Sequence, residues 1–440
     1  MLESLRNAFN LPDLRRRILY TLGILAIYRL AAHVPIPGLD RVALAHFFDS
    51  QDAAGDVARF INLLSGGALK NFSVVAMGVY PYITASIILQ LLVPLVPSLE
   101  ELSKEGESGR NKINLYTYWL TIPLAILQAV ANVALLNRGV SGSSAGQVVQ
   151  FGAAHPLNSL TVLIALTAGT MFALWLGERI SEAGVGNGIS IIIFGGIVAG
   201  IPQHLYSLVT RPVALLLVVM LTVATVFAIV VVQEGYRRIA VQYGKRVRGT
   251  RVYGGQTTYI PLRVNSAGMI PLIFASSLLI FPGLIGQLLG SSTSLPLAVQ
   301  NIGLNIQRWF SPNSGSPIFF LAQFFLVVLF TFFYTDVVFR QQNLHETLQR
   351  NGGFIPGIRP GKRTEDYLNS IMHRITFAGA VFLGLVAVSP FFVQILTGGP
   401  GGSDLILTSS GLLIVVGVVL DTIKQLEAQL LMRHYEGFIK

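Results

Sequence analysis

The chain has 440 residues, of which 52% are hydrophobic and only 12% are charged, and its formal net charge is +10. Soluble domains carry about 25% charged residues, so this chain has too little polar surface to cover a soluble molecule of its size. It contains no cysteine, which excludes disulfides, thiolate nucleophiles and cysteine-ligated metal centres. Composition therefore predicts a polytopic membrane protein.

Ten segments are apolar over about the 20 residues that a helix needs to cross the hydrocarbon core. The first follows Arg15, Arg16 and Arg17 and could be a signal peptide. Nine more spans follow it and no small-residue cleavage site ends it, which favours an uncleaved anchor. The predicted spans lie near 18–34, 72–95, 115–136, 157–177, 187–208, 213–233, 267–289, 317–338, 375–395 and 405–426.

The basic residues predict the orientation of these spans. Of the 31 Lys and Arg residues, twenty-four lie at the two termini and in the 2/3, 4/5, 6/7 and 8/9 loops, whereas six lie in the opposite loops. Because cytoplasmic loops hold the positive excess, we expect both termini to be cytoplasmic. The short 5/6 connection divides the chain into an N-terminal half (1–210) and a C-terminal half (211–440). Five spans each would insert the halves in opposite orientations, an inference from topology alone.

Catalytic patterns are lacking in the sequence, which has no Walker A motif and no HExxH motif. The stretch Gly184–Gly188 superficially resembles a phosphate loop. It follows a membrane span rather than a strand, which favours a tight turn that opens span 5. We therefore expect a protein that is not an enzyme and has no cofactor or metal site.

Arg29 lies within span 1, where it either has a functional role or simply snorkels or pairs with a neighbouring helix.

Two loops on the predicted cytoplasmic side, 234–264 and 340–374, are strongly basic. The first alternates β-branched and basic residues from Ile239 to Tyr259, which predicts a protruding hairpin. A basic loop beside a membrane can serve topology or bind lipid, and it can equally bind a large anionic partner such as RNA. Composition leaves both of these roles open.

The exterior loop 290–317 is rich in Ser, Gly and Asn and is expected to be an ordinary exposed loop.

A short apolar stretch between spans 1 and 2, residues 57–69, is too short to cross a membrane and is interrupted by Gly66 and Gly67. Backbone at half depth survives in a membrane protein only where it is buried or lines a wet cavity. The stretch is therefore either a re-entrant half-helix or an amphipathic helix at the surface.

Five long motifs are distinctive, namely Ala76–Leu92, Gly184–Pro202, Gly254–Ser277, Gly352–Leu368 and Gly411–Thr422. They closely resemble the SecY family, whose members form the central subunit of the bacterial protein-conducting channel. The resemblance runs nearly from end to end. It implies an all-α polytopic fold in the bacterial cytoplasmic membrane, with ten transmembrane helices in two inverted five-helix halves around an hourglass pore, and a short re-entrant plug helix.

The resemblance also implies a ring of aliphatic side chains at the constriction of the pore. Branched apolar walls dewet a narrow pore and resist ions, yet they impose no hydrogen-bonding preference on a passing polypeptide. The alternative is that these side chains merely face lipid or other helices. The implied ring consists of Ile83, Ile87, Ile189, Ile193, Ile273 and Ile414.

The same resemblance implies a plug and a lateral gate. The plug is the stretch 57–69, which would close the exterior funnel and which includes Leu63, Leu64, Ser65, Gly66 and Gly67. Spans 2 and 3 would face spans 7 and 8 across a gate that opens towards lipid. Polar side chains can hydrogen-bond across such a contact, although bonds within their own helices are the alternative. The gate candidates are Gln90, Asn265, Ser276 and Ser277.

The implied function is a passive channel that moves unfolded secretory polypeptides outwards and releases apolar segments into lipid. Implied partners are the SecE and SecG subunits, the SecA motor ATPase, the ribosome with its RNA and proteins, signal sequences, nascent polypeptides and membrane lipid. A transporter for a small solute and a scaffold or insertase without a continuous pore are the alternative functions.

Arg359 lies in a Pro-Gly-flanked turn, for which a purely structural role is the alternative. The docking candidates are Arg246, Arg248, Arg251 and Arg359.

Overall fold

The computed structural model describes residues 11–44, 67–140, 148–151, 155–208, 212–243, 246–248, 251–253, 257–290, 296–310, 316–341, 344–397 and 403–436. The helices are α1 (Pro12–Ala31), α2 (Tyr80–Leu92), α3 (Pro97–Lys104), α4 (Glu107–Val140), α5 (Pro156–Ala183), α6 (Gly188–Leu208), α7 (Pro212–Glu234), α8 (Ile270–Gly290), α9 (Leu297–Trp309), α10 (Pro317–Gln341), α11 (Leu344–Arg350), α12 (Lys362–Thr397) and α13 (Ser403–Glu436). The strands are β1 (Tyr236–Tyr243), β2 (Arg246–Arg248), β3 (Arg251–Tyr253), β4 (Thr257–Arg263) and β5 (Gly353–Phe354).

Each of the ten predicted spans overlaps one of these helices, namely α1, α2, α4 to α8, α10, α12 and α13. Among the described residues, four helical stretches have the length and hydropathy to cross a membrane as they stand. A fifth candidate is the pair α2 and α3, which are bent by 100° relative to each other. The four stretches are Glu107–Ala134, Pro156–Ala183, Pro317–Phe339 and Lys362–Ser389.

Span 2 is shorter in the structure than the sequence pattern suggests. The predicted segment 72–95 is helical only from Tyr80, and residues 67–79 form a series of turns. Gly78 has a φ of 53°, a left-handed conformation that suits glycine and is incompatible with a continuing helix. The apolar residues before Tyr80 are instead buried as an irregular segment, which a hydropathy pattern does not distinguish from helix.

Eight of these helices pack in a closed circuit. Around it, α2 contacts α4, α4 contacts α5, α5 contacts α6, and α6 contacts α13. The circuit continues from α13 to α12, from α12 to α10, from α10 to α8, and returns from α8 to α2. Helix α1 packs on α5 and α6 from outside, and α7 packs on α13 and α6. A circuit of this kind encloses a central space, and its two halves meet at α6 on one side and at α2 and α8 on the other.

The strands lie at one end of the bundle, which we call the basic end. Strands β1 and β4 pair as an antiparallel hairpin, with Val241 opposite Thr258, as the sequence pattern predicts. Strand β5 comes from the other basic loop and pairs with the opposite edge of β1, giving the order β4-β1-β5. Strands β2 and β3 form a separate two-stranded ribbon. The two basic loops are therefore joined in a single sheet, and the fold is not purely helical.

The loop 290–317 is not the ordinary exposed loop that its composition suggests, because it contains α9, which packs against α8. The contact is made through glycines. A Cβ atom on Gly303 would lie 2.8 Å from the carbonyl oxygen of Gly286 and would overlap the backbone of Gly290. Small residues at such positions let two helix backbones approach closely. The helix lies between Ser-, Gly- and Asn-rich flanks, and its contact with α8 uses glycines together with Leu304 and Ile306.

We predict that Gly303→Ala destabilises the chain by about 1–3 kcal/mol, because the added methyl group forces α8 and α9 apart. The melting temperature of the detergent-solubilised chain should fall. Gly283→Ala is the matched control on α8. Its Cβ would lie 3.4 Å from the carbonyl oxygen of Phe310, which is an ordinary van der Waals distance. Equal melting temperatures for the two variants would contradict the tight α8–α9 packing.

Candidate functional site

A continuous apolar cluster, the central cluster, fills the space inside the helix circuit. It brings together buried side chains from α1, α5, α6, α8 and α13. Five of the six predicted ring residues belong to it. Ile193, Ile273 and Ile414 are buried members, with 5%, 8% and 2% of their surface exposed. Ile83 and Ile189 are half-buried and pack against them.

The sixth ring candidate, Ile87, lies in an adjoining cluster between α2, α7, α8, α10, α12 and α13. Ile83 and Met269 pack against both clusters, so the two are continuous at this point. Ile83 and Ile87 are one helical turn apart on α2 and therefore share a face. The six isoleucines, from the four helices α2, α6, α8 and α13, thus lie in or against two adjoining apolar clusters.

A polar cavity of about 550 Å³ adjoins the central cluster on its basic-end side. It lies among the ends of α6, α7, α8, α10 and α13 and the turn after β4. Val418 belongs both to its wall and to the central cluster, so the cavity adjoins that cluster. Its polar lining residues are Asn187, Ser190, Gln233, Arg263, Asn265, Ser266, Asp421, Thr422, Lys424 and Gln425.

Two ion pairs tie the wall of this cavity together. The Lys424 ammonium of α13 lies 2.7 Å from a carboxylate oxygen of Glu234 at the end of α7. A guanidinium nitrogen of Arg263 at the end of β4 lies 4.0 Å from a carboxylate oxygen of Asp421. Helix α13 is thereby linked to both ends of the segment that carries the β1/β4 hairpin. Sequence reasoning did not single out these four residues, because their pairing depends on elements distant in the chain.

The opposite face of the central cluster is covered by residues 67–79. Ala68, Val75 and Val79 are buried members of the cluster. A backbone hydrogen bond attaches this segment to the residues that follow α1, since the carbonyl oxygen of Phe72 accepts from the N–H of Ile36 at 3.1 Å. Of the predicted plug residues, Leu63, Leu64, Ser65 and Gly66 lie outside the described residues. Gly67 is described, with a φ of 86°.

The predicted gate residues hydrogen-bond locally. On α2, the Gln90 side-chain nitrogen donates to the Ser86 hydroxyl at 3.2 Å. Asn265 donates to the carbonyl oxygen of Gly268 at 3.1 Å. Within the described part of the chain, the side-chain oxygens of Gln90, Asn265 and Ser276 are buried without a hydrogen-bond partner. The side chain of Ser277 lies outside the described residues. Helix α2 contacts α8 directly, so Gln90 and Ser276 belong to the two helices that meet there.

A small second core, the basic-end core, supports the predicted docking surface. It joins Val241 of β1, Leu262 of β4, Ile355 and Leu368, which come from both basic loops. Ile358 packs against this core, and the next residue, Arg359, is exposed. The turn is constrained by its neighbours, since the Thr364 hydroxyl donates to the carbonyl oxygen of Arg359 at 3.0 Å and Gly357 and Gly361 have φ values of 82° and 108°. A rigid turn thus presents the Arg359 guanidinium to solvent.

The three remaining docking candidates lie in the two-stranded ribbon. In the register of β2 and β3, Arg248 lies opposite Arg251 and Arg246 lies opposite Tyr253. Their side chains lie outside the described part of the structure. Placing like charges directly opposite each other is unfavourable in an isolated strand pair, and Arg248 opposite Arg251 is such a pair.

Two further predictions concern single features. Gly184–Gly188 forms the expected tight turn, in which Gly186 has a φ of 81° and the Asn187 side chain accepts from the N–H of Ser190 at 3.2 Å. Arg29 pairs with a neighbouring helix, as one of its two non-functional alternatives predicts, since its guanidinium donates to the carbonyl oxygens of Gly195 and Gly196 on α6.

Comparison with known proteins identifies the family. The SecY family model matches residues 73–423. The chain belongs to the SecY family. It is 42% identical to the protein translocase subunit SecY of Mycobacterium tuberculosis and 41% identical to that of Streptomyces coelicolor, and in both comparisons all of each chain is covered. It is also 41% identical to the Thermotoga maritima subunit over 100% of this chain and 98% of that one.

Solved structures with the SecY fold are similar in architecture. One, described as the structure of a protein conducting channel, has a TM-score of 0.59 at 18% identity and covers 94% of this chain and 92% of that one. Another, Sec61 in the canine ribosome–channel complex, has a TM-score of 0.60 at 17% identity and covers 94% of this chain and 92% of that one. At these identities the likeness shows the fold, and the family assignment rests on the sequence matches.

We predict that Val241→Ala selectively loosens the basic end, because Val241 is fully buried in the basic-end core. Removing its two methyl groups should cost about 2 kcal/mol through lost burial and a residual cavity. Amide hydrogen exchange should accelerate in both 236–263 and 353–371, since the sheet and core join the two loops. Thr258→Ala is the matched control, since Thr258 is exposed directly opposite Val241. Faster exchange in only one of the two segments would contradict the shared core.

Proposed function

We propose that this SecY-family chain forms a passive, gated channel through which unfolded secretory polypeptides leave the cytoplasm and apolar segments pass sideways into lipid. One observation carries the proposal, namely that six isoleucines from four helices lie in or against two adjoining apolar clusters within a closed circuit of helices. The relatives at about 40% identity are named as protein translocase subunits, which agrees with this reading.

The chemistry of the central cluster suits a constriction that must open for a polypeptide and exclude ions at rest. Branched aliphatic side chains offer an ion no replacement for its hydration shell, so a narrow apolar ring is a barrier to ions. They also form no specific hydrogen bonds with a passing chain and therefore tolerate any sequence. A polar cavity of about 550 Å³ on the basic-end side would receive the chain before it meets the ring.

Transport of a small solute is the second reading, and the placement of charge disfavours it. Ion-coupled carriers hold ionisable side chains near the midplane to bind or relay ions. Here Arg29 is engaged by backbone carbonyls of α6. Asp421 lies beside Arg263 at the basic end, away from the isoleucines. The central cluster itself is apolar.

The membrane arrangement we propose has ten spans in two inverted halves, 1–210 and 211–440, with both termini in the cytoplasm of a bacterial cell. Exposed apolar side chains such as Leu216, Phe227 and Phe325 would face lipid, since large exposed apolar patches are rare on soluble proteins. Leu14 near the start of α1 and Leu426 on α13 share one cluster, which supports placing both termini at the basic end.

The plug and gate are proposed from the surroundings of the central cluster. Residues 57–69 would cover the ring from the exterior, a position supported by the burial of Ala68 in that cluster. The α2–α8 contact would be the lateral gate. The buried oxygens of Gln90 and Ser276 at this contact have no partner in the described structure, so separating the two helices would break no hydrogen bond that these oxygens accept.

Partners would dock on the basic-end surface that includes Arg246, Arg248, Arg251 and Arg359. We propose the ribosome and the SecA motor ATPase as its ligands, and SecE and SecG as further subunits. A solved relative is described as Sec61 in a ribosome–channel complex, which supports a ribosomal partner. Phosphate-rich RNA is attracted by clustered arginines, and an energy-supplying partner is required because the chain has no nucleotide motif of its own.

Crosslinking to a translocating chain tests the channel directly. Because the chain contains no cysteine, an introduced cysteine is its one thiol and the site of any disulfide is known. A single cysteine replaces Ile414, and a secretory polypeptide with one cysteine is stalled midway through translocation. Oxidation should join the two by a disulfide. Val419→Cys is the matched control on the same helix, since Val419 is exposed and lies outside the cavity lining. A verified stall without a crosslink at residue 414 would refute passage through the central cluster.

We predict that Arg359→Glu lowers SecA-driven translocation into vesicles on the order of tenfold, because a negative charge would repel the surface that the guanidinium attracts. The melting temperature should stay unchanged, since Arg359 is exposed. Arg308→Glu makes the same change of charge on exposed α9 and should leave translocation unaltered. Full translocation activity in the Arg359 variant would remove this residue from the docking surface.

A further inference from the structure

Helix α9 carries a narrow polar stripe on its exposed side. Asn301, Asn305 and Arg308 are exposed and follow one another at helical spacing, so they lie on one face of the helix. Apolar side chains border this stripe. Ile302 and Trp309 are two helical turns apart and therefore aligned along the helix, and they are 56% and 48% exposed. Within the described part of the chain, α9 thus leaves an apolar surface open.

The other border of the polar stripe is apolar as well. Leu297 and Leu304 lie on that side and are 76% and 40% exposed. Large exposed apolar patches are rare on surfaces that face water. Helices that lie in a membrane boundary combine a polar face with apolar flanks that contain Trp and Leu. The pattern of α9 is therefore that of a helix whose polar stripe faces water and whose flanks face lipid.

The packing of α9 on α8 determines its position along the bundle. Helix α8 begins beside the polar cavity, whose lining includes Ile270. Its 21 residues rise about 30 Å, which is the thickness of the hydrocarbon core. Gly303 packs against Gly290 at the far end of α8, and Phe310 lies beside Gly283, so the two helices are antiparallel. The end of α9 therefore lies about 10 Å nearer the basic end than Gly290 does.

A second helix places the end of α9 at the same level. Phe310, the residue after α9, packs against Phe319 and Phe320 in the first turn of α10. This turn is the end of α10 away from the basic end, since Tyr334 in its last turns lines the polar cavity. Leu321, the next residue of α10, is 55% exposed. The apolar surface that would face lipid on α10 therefore continues onto the end of α9.

We propose that α9 lies in the boundary of the exterior lipid leaflet, with Ile302 and Trp309 against the acyl chains below the headgroups and the polar stripe turned to water. The occupant of this face is phospholipid and not a protein partner. Tryptophan suits this depth because its ring is apolar while its N–H group can reach a polar partner. This inference rests on the proposed membrane arrangement and assigns a lipid-binding surface to a helix outside the proposed spans.

Spin labelling tests the proposal, because the chain contains no cysteine and a single introduced thiol carries the label. Ile302→Cys and Asn301→Cys are a matched pair, since the two residues are adjacent and exposed and project about 100° apart. In phosphatidylcholine vesicles, collisions of each nitroxide with oxygen, which concentrates in lipid, are compared with collisions with a water-soluble nickel chelate. The oxygen-to-nickel ratio should be on the order of threefold higher at residue 302, because only this position would be buried in the lipid boundary. Equal ratios overturn the proposal.

Fluorescence of Trp309 provides a second measurement that needs no label. The chain has 3 tryptophans, and the double variant Trp119→Phe, Trp175→Phe leaves Trp309 alone. Both replaced residues are exposed, at 67% and 50%. Phosphatidylcholine brominated near the headgroup end of its acyl chains should quench on the order of half of the emission, because a boundary helix lies about 5–10 Å deep. Quenching by aqueous acrylamide alone would place α9 in water, and quenching by neither would place it against protein; both results overturn the proposal.

A spin label at Leu321→Cys on α10 keeps this inference distinct from the membrane arrangement. If the label at residue 321 collides mainly with oxygen and the label at residue 302 mainly with nickel, the arrangement stands and the lipid contact of α9 falls. If both labels collide mainly with nickel, the arrangement falls and the inference falls with it. Melting temperatures of all variants identify unfolding. Should Ile302→Cys fail to fold, the quenching of Trp309 decides.

Discussion

Closure of a helix circuit around an apolar centre is the constraint on which the rest of the structure depends. Helices from both halves of the chain contribute isoleucines to one apolar cluster, in which Ile193, Ile273 and Ile414 are buried. Within a membrane, burying apolar side chains against one another gains little over burying them in lipid. The position of the ring must therefore be fixed by other contacts, chiefly close backbone approaches and a few hydrogen bonds between helices.

Glycines provide many of those approaches. A side chain on Gly188 would overlap the carbonyl oxygen of Gly177, which fixes α6 against α5, and one on Gly169 would overlap the backbone of Val74. The second contact locks α5 onto the irregular segment that covers the central cluster. Arg29 adds a polar link between α1 and α6. Close contacts thus surround α6, whereas α2 and α8, the helices of the proposed gate, meet with buried oxygens left without partners among the described residues.

The basic end links partner docking to the channel. Because β5 pairs with β1, the two basic loops form one structural unit and present Arg359 beside the hairpin. The unit is attached to α13 through Arg263 and Asp421 and through the Glu234–Lys424 pair. Helix α13 also carries Ile414. The hairpin and Ile414 are therefore connected through α13 and two ion pairs beside the polar cavity.

The sequence by itself determined the class of protein, the family and the approximate positions of the apolar helices, because hydropathy, basic loops and long motifs are local properties of the chain, although it placed the start of α2 too early. It also determined the tight turn at Gly186 and the β1/β4 hairpin. Tertiary structure alone decided that the two basic loops share a sheet, that α9 packs through Gly303, and that Arg29 binds α6. Each of these depends on residues far apart in the chain, and glycine contacts and carbonyl acceptors leave no periodic pattern in a sequence.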